Sequence, residues 1–373
     1  MFNRLEPRAP NESGSVVAAG ARKGHQAEPV PYTYLLLRQF PDGPTEKCWR
    51  EFLARVRFPA HYDSPEFFLE PYWRDAQPFA ILLLRGDRVV GTLTGLVRGW
   101  YVASGLGSRP QLCLDEEEDA LAASHALAEA LMTCFPDAKL FTVYAWGPIG
   151  LPGLTRHGFR SAELLGDVVV DLRPGAKSIF DNFPLNRRRD IRKAIRNQIE
   201  VAEATTDADM EAYWRVYCSW KQTDRKRIHH NRDFAMLAAV QKMSSNHRRF
   251  LARYRGEVIA ASGIRFYAGG LVEYSNNCSL DAYLHLRPND LLMWKIIEWS
   301  CEHGFPRLSM GGAQTFLRKW SSTIIPINRY QLDRTFLHRV EFKEEASAKV
   351  RRLTHHLPTP VQGAIRNLFR VKH

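Results

Sequence analysis

The chain has 373 residues, 45% of them hydrophobic and 25% charged, the composition of a globular protein with material for two domains. A formal net charge of +12 and a pI of about 9.5 favour an anionic partner (nucleic acid, membrane surface or phosphate-bearing small molecule), although the same excess also serves solubility. Six scattered cysteines with no C-x-x-C support neither a disulfide framework nor a zinc site and fit a reducing compartment, and no apolar run approaches the roughly 18 residues of a membrane span.

Met1 to Pro31 is rich in Gly, Pro, Ala and charge, and its longest apolar run, Val16 to Ala19, is too short for a signal-peptide core. The segment reads as a disordered leader. Tyr32 to Arg38 is a strand candidate, Thr45 to Val56 has helical spacing, and Ser64 to Trp73 reads as a short helix around Pro65 and Pro71. Phe79 to Leu84 and Val89 to Val97 flank Arg85-Gly86-Asp87 as a hairpin, and Trp100 to Gly107 is a third strand. The acidic run Asp115 to Asp119 opens a helix through Phe135, where carboxylates suit the helix dipole and serve capping. Lys139 to Trp146 and Gly166 to Leu172 are strands, with a short helix at Leu154 to His157 between them.

Leu185 to Gln198 is a basic helix with Ile191, Ala194, Ile195 and Ile199 as its apolar stripe, and Asp207 to Trp220 is a second amphipathic helix. Lys221 to Arg232 is a basic loop. Strands then follow at Phe250 to Arg253, Val258 to Phe266 and Leu271 to Asn276, turning at Arg255-Gly256-Glu257 and Gly269-Gly270. Arg287-Pro288-Asn289-Asp290 opens an apolar helix, Leu291 to His303, closed by Gly304, which is the usual helix punctuation. The strand Arg307 to Met310 runs into Gly311-Gly312, and after Arg334 a helix, Val340 to Leu353, leads into a basic tail.

The order of hairpin, helix and strand occurs twice, at an offset of about 160 to 170 residues. Arg85-Gly86-Asp87 answers to Arg255-Gly256-Glu257, the helix from Asp115 to the helix from Asn289, and Gly166 to Leu172 answers to Ile327 to Asp333. The expected fold is α/β, with α+β mixed sheets in two tandem units, 32–173 and 174–340, between the leader 1–31 and a basic helical tail 341–373. Each unit is expected to form its own sheet.

Asn186-Arg187-Arg188-Arg189-Asp190-Ile191-Arg192-Lys193-Ala194-Ile195-Arg196 resembles the segment that opens the second half of Fem-type aminoacyltransferases, and is similar to CelD-type acyltransferases of the GNAT superfamily. Arg287-Pro288-Asn289-Asp290-Leu291-Leu292, Gly304, and Gly311-Gly312 with Lys319 fit the same pattern, over roughly Tyr32 to Thr335. The resemblance implies two GNAT-like acyl-CoA N-acyltransferase units. The GNAT pyrophosphate loop, Arg/Gln-x-x-Gly-x-Gly/Ala, is met at Arg287, while Asp290 and Leu292 replace its glycines.

The implied activity is movement of an acyl or aminoacyl group from acyl-CoA, or from aminoacyl-tRNA, to an amine on a cell-envelope or polysaccharide precursor. Such a transfer needs a positioned donor, a base for the amine proton and donors for the oxyanion. Glu273 is the candidate base, with a solvent-facing strand residue as the alternative, and Tyr283 and Lys319 complete the catalytic candidates. Arg287, Asn289, Asp290 and Leu291 are the donor-phosphate candidates, and Arg188, Arg192, Arg196 and Arg318 those for an anionic acceptor. No tightly bound cofactor is expected. Neither is a metal, because His229-His230 and His355-His356 are adjacent pairs that rarely face one ion. A cytoplasmic location follows, with room for peripheral contact of the basic tail with the inner membrane face. The competing reading is a non-enzymatic nucleic-acid or membrane-surface binder that uses the basic helix and tail.

Overall fold

The computed structural model describes residues 16–18, 31–70, 76–104, 111–147, 150–223 and 246–354. The basic loop at 224–232 with both its histidines, the glycine-rich end of the third strand at 105–107, and His355-His356 with the rest of the tail lie outside these residues. So does most of the leader, but Val16–Ala18 (β1) pairs antiparallel with Tyr32–Leu37 (β2), so that part of it is a sheet edge.

The N-terminal unit continues with a helix, Gly43–Leu53 (α1), and the hairpin Gln77–Arg85 (β3) and Arg88–Arg98 (β4). Strand β3 is apolar without a break because both of its faces are covered. Phe79, Ile81 and Leu83 pack into one buried cluster, whereas Ala80 and Leu82 pack against Trp49, Phe52 and Leu53 of α1. Tyr101–Ser104 (β5) and Leu112–Leu114 (β6) both pair with β4. The helix Ala120–Cys134 (α2) starts later than the acidic run suggests. Asp119 caps it by accepting from Ala122 N–H at 2.6 Å, while Asp115 turns back to Arg88. Leu140–Trp146 (β7) runs parallel to β5, a short helix Pro152–Arg156 (α3) packs on α2, and Arg160–Asp171 (β8) follows. The expected helix at Ser64 to Trp73 is instead two 3-10 turns, His61–Asp63 and Pro65–Leu69.

The C-terminal unit opens with Gly175–Asn182 (α4) and the basic helix Leu185–Arg196 (α5), then Glu200–Glu203 (β9) and Asp207–Thr223 (α6). His247–Tyr254 (β10), Glu257–Phe266 (β11) and Leu271–Ser279 (β12) form an antiparallel meander. The helix Pro288–Glu302 (α7) is apolar nearly all round because it sits between the sheet and helices α4 and α5. Its Leu291, Leu292, Ile296 and Ile297 are fully buried, worth roughly 1.5–3 kcal/mol each. Arg307–Ser309 (β13) runs parallel to β12, and Ile324–Asp333 (β14) and Arg339–Thr354 (α8) end the described chain.

The repeat read from the sequence is present, but the two units do not have separate sheets. One continuous sheet runs β1-β2-β3-β4-β5-β7-β14-β8-β13-β12-β11-β10-β9, with β6 beside β4. The crossover lies in the two strands that answer to each other in the repeat. β14, from the end of the C-terminal unit, inserts between β7 and β8, with Ile327 opposite Trp146 and Ile324 opposite Val168. The last residues of β8 pair in turn with β13, Val169 opposite Ser309 and Asp171 opposite Arg307. Each unit is closed by a strand of the other.

Candidate active site

In the C-terminal unit β12 and β13 pair only from Leu271 to Glu273 and from Arg307 to Ser309. Beyond Ser309 the chain turns away at Gly311 and Gly312, both at positive φ, a backbone that glycine adopts without strain. Asp167 fixes this turn: its Oδ1 accepts from Gly312 N–H at 2.6 Å and its Oδ2 from Ser309 Oγ at 2.5 Å. β12 continues without β13 beside it, so the sheet parts in a V that begins after the Glu273–Ser309 pair. One step further, β12 bulges. Tyr274 faces Ile264 and Asn276 faces Gly263, which leaves Ser275 as the extra residue. A bulge re-aims backbone groups and is common beside active sites. Glycine at 263 makes room for it, because a Cβ there would lie 2.5 Å from Asn276 Oδ1.

Helix α7 begins at the far end of β12. Arg287 takes a left-handed backbone, φ 67°, at its start and lies 3.6 Å from Asp190 of α5. Asn289 Nδ2 donates to Ser279 Oγ at 3.3 Å, tying the helix start to β12. Asp290 does not cap the helix: it forms a buried ion pair with Arg187, whose guanidinium lies 4.4 Å from the centre of the Trp320 ring. The negative charge that argues against an anion here is thus cancelled from α5. Leu291 is a core side chain, 1% exposed.

The face of the sheet opposite α7 carries a buried charged strip between the units. Segment 58–70 of the N-terminal unit lies across it. Leu271 N–H donates to Pro59 O at 2.8 Å, and a Cβ at Gly270 would meet that oxygen at 2.1 Å. Glu273, fully buried, accepts from His61 N–H at 3.2 Å. His61 Nε2 is 2.8 Å from Glu70 Oε1, and Glu70 is also bound by Arg265. Burial pushes the Asp63 carboxyl up to about 7 against hydrogen bonds from Cys113 and Thr92, with the Glu273 charge adding to the rise. Burial, with the Arg249 and Arg265 charges beside it, holds His247 well below the usual imidazole range.

The structure does not gather all the expected catalytic residues. Lys319 is exposed on a turn whose Leu317 and Trp320 pack into the α7 face, while Glu273 alternates with Val272 of that face and points the other way. The two cannot share a pocket. Tyr283 OH donates to Glu257 Oε2 at 2.8 Å, at the tip of the β10–β11 hairpin. Glu257 is eight positions along β11 from Arg265, the partner of Glu273, or roughly 26 Å at strand rise. Arg318 Nε donates to Ala313 O at 2.7 Å. Arg188 is half-buried, and Arg192 and Arg196 are exposed on the same stripe of α5, Arg192 lying 5.5 Å from the centre of the Phe180 ring.

Asp63, His61, Glu70, Arg187 and Ser275 are absent from the sequence-based set. A signal did exist for the strip. Arg265 is a charge inside an otherwise apolar strand, and a buried charge requires a partner. Nothing local marks Asp63 or the bulge.

In the N-terminal unit a cleft of about 350 Å³ lies at the start of α2, lined by Phe58, Cys113, Asp115, Glu116, Glu118 and Trp146 among others. Two of its carboxylates are paired with arginines, Asp115 with Arg88 and Arg55, and Glu118 with Arg85, so their charge is compensated as that of Asp290 is.

Residues 186–319 match the family model described as "Acetyltransferase (GNAT) domain". No curated protein matches the chain. Among solved structures, one titled "Crystal structure of FemX" superposes with a TM-score of 0.63 at 11% identity, covering 79% of this chain and 98% of that one. A tandem GNAT protein from the clavulanic acid biosynthesis pathway gives 0.54 at 12%, over 82% and 99%. L-PGS from Bacillus licheniformis gives 0.53 at 14%, over 80% and 94%. Residues 186–319 are thus similar to a GNAT acetyltransferase domain, and the chain as a whole has the fold of these structures, two tandem GNAT units.

Proposed function

We propose that the protein transfers an acyl or aminoacyl group from an acyl-CoA, or from an aminoacyl-tRNA, to an amine on a cell-envelope or polysaccharide precursor, and that the C-terminal unit holds the donor. The observation that carries this is the bulge at Ser275, one step beyond the last β12–β13 pair. Backbone re-aimed at the mouth of a parted sheet can meet a carbonyl oxygen as it gains charge. The start of α7, with Arg287 half-exposed and Asp290 neutralised by Arg187, takes the donor phosphates together with Asn289.

Glu273 is the base in this reading. It takes the proton of the attacking amine as the new C–N bond forms, and the thiolate or alkoxide of the donor leaves with a proton. Arg188, Arg192 and Arg196, with Arg318, offer positive charge to an anionic acceptor. The envelope-precursor part of the reading rests on the Fem-type resemblance and on this charge. The donor is a co-substrate, not a resident cofactor. No described helix is long and apolar enough to cross a membrane, and contact with a membrane surface would fall to the basic tail.

The test is a panel of acyl-CoAs, with charged tRNA in parallel, mixed with amino sugars and lysine-bearing precursor peptides. Release of free CoA thiol or deacylated tRNA that depends on the amine is the expected result. Salt-sensitive binding to bulk RNA or anionic vesicles, with no donor binding or turnover, would replace this reading by the non-enzymatic one.

A further inference from the structure

Among the described residues one group of metal-ligating side chains stands apart from the donor site: His125 and Glu129 on α2, and His157 at the end of α3. One ligand atom from each lies within 4.8 Å of the others. His157 Nε2 is 2.8 Å from His125 Nδ1, the rings stack at 4.4 Å, and Glu129 Oε1 is 3.4 Å from His125 Nε2.

The cluster is held by backbone. Helix α3 touches α2 at Gly153, where a Cβ would lie 2.1 Å from His125 N, so no other residue allows this approach. Gly153 N–H donates to Ser124 Oγ at 2.8 Å, immediately before His125. Buried Leu154 joins the cluster of Leu127 and Ala128, and His157 N–H closes the helix on Gly153 O and Leu154 O. His125 and Glu129 are one helical turn apart and share a face. Three ligand-bearing residues on two rigidly docked helices are therefore held within reach of one ion, short of its final geometry.

We propose that His125, Glu129 and His157 bind one zinc ion, which fastens α3 to α2. Two imidazoles and a carboxylate suit zinc and disfavour magnesium or calcium, which take all-oxygen sets. Zinc–nitrogen bonds of about 2.0–2.1 Å in a tetrahedron place two ring nitrogens roughly 3.3 Å apart. The rings need open by only about half an ångström from their present contact, within a small χ rotation. An ion between the rings uses His125 Nδ1, whereas Glu129 now faces Nε2 of the same ring, so the Glu129 carboxylate or the His125 ring must turn for all three to meet one ion, whose fourth position is left to water. The site is independent of the acyl-transfer reading, since none of its residues belongs to the donor opening.

The test uses the full-length protein, stripped of metal with a chelator and dialysed with zinc or cobalt(II). Elemental analysis should find one equivalent more zinc in the native chain than in the His125→Ala/His157→Ala variant. Cobalt should give the visible absorption of a tetrahedral site in the native chain alone. Zinc should raise the native melting temperature and leave that of the variant unchanged. Equal zinc content in both proteins overturns the proposal. Should the variant melt lower without metal, Glu129→Gln decides, because it keeps both rings. Zinc affinity must then fall by at least the roughly tenfold that loss of even an outer-shell partner costs, and an unchanged affinity also overturns the proposal.

Discussion

Arg265 of β11 grips Glu70 of the N-terminal unit with two bonds, Nε to Oε1 at 2.5 Å and Nη2 to Oε2 at 2.9 Å, with both side chains nearly sealed from solvent. Burial alone would raise the Glu70 carboxyl. The Arg265 charge and the hydrogen bonds from His61 and Arg265 outweigh it and hold the group well below the usual carboxylate range. The pair is where the two units are joined electrostatically. Glu70→Gln leaves a buried guanidinium without its counter-charge and should cost about 3–5 kcal/mol in denaturant unfolding. Because the folded carboxyl is depressed, its stabilisation is complete above the ordinary value of 4.5 and fades as pH falls below it. The variant should lack that acid-side loss, and a native-like pH profile in it would remove the pair from this role.

Asp63 behaves in the opposite sense. Its carboxyl is raised from 3.8 to about 7, so the folded protein holds the proton more tightly than the unfolded chain. Stability should be greatest below 3.8 as far as this group is concerned, and fall as pH rises through about 7. Asp63→Asn keeps the shape and stays neutral. It should remove a penalty of up to roughly 4 kcal/mol at pH 8 and have little effect near pH 4. Unfolding midpoints at the two pH values check this directly.

The Arg187–Asp290 pair sets the charge of the α7 start. Arg187→Met should expose Asp290 to the donor phosphates and weaken CoA binding by roughly tenfold or more, one such contact being worth over 1.4 kcal/mol. The double variant with Asp290→Asn should recover most of that affinity, which calorimetric titration with CoA would measure. Failure of the second change to rescue would mean that Arg187 binds the donor itself and does not act by neutralising Asp290.

Arg192→Gln and Arg196→Gln together should leave the melting temperature nearly unchanged, since exposed charges contribute about 0–1 kcal/mol each, and adding Arg188→Gln, at the half-buried position, should lower it only modestly. Binding of an anionic precursor should weaken, and its salt dependence should flatten. A collapse of the fold with unaltered binding would make α5 a purely structural helix.

The tandem organisation was legible in the sequence because turn residues and apolar runs recur in order, and local chemistry fixes both. Pro288 and Gly304 bound α7 as their conformational preferences dictate. The site was legible only in part. Glu273 stood out as an acid within a strand, but its direction is set by the alternation that starts from Val272, and which face meets which unit depends on the tertiary fold. Lys319 looked close because it follows Gly311-Gly312 in the chain, yet Leu317 and Trp320 anchor its turn on the other face. His61, Asp63 and Glu70 gain their roles from strands some two hundred positions away, as the His61–Glu273 bond shows, and short-range pattern cannot carry that.

The placement of β14 between β7 and β8 bears on how the protein is made. During synthesis the N-terminal unit emerges first, yet the edge of β7 away from β5 has no β14 beside it until Ile327 has left the ribosome. Until then β7 and β8 present open edges, which invite pairing with other chains. The C-terminal sheet depends likewise on β8 for the far side of β13. The ladder between the halves is built from contacts distant in sequence, the kind that form slowly and leave nascent edges exposed. In return, the finished molecule has no hinge at its midpoint: pulling the units apart means breaking strand ladders, which keeps Asp63 and Glu273 in fixed register.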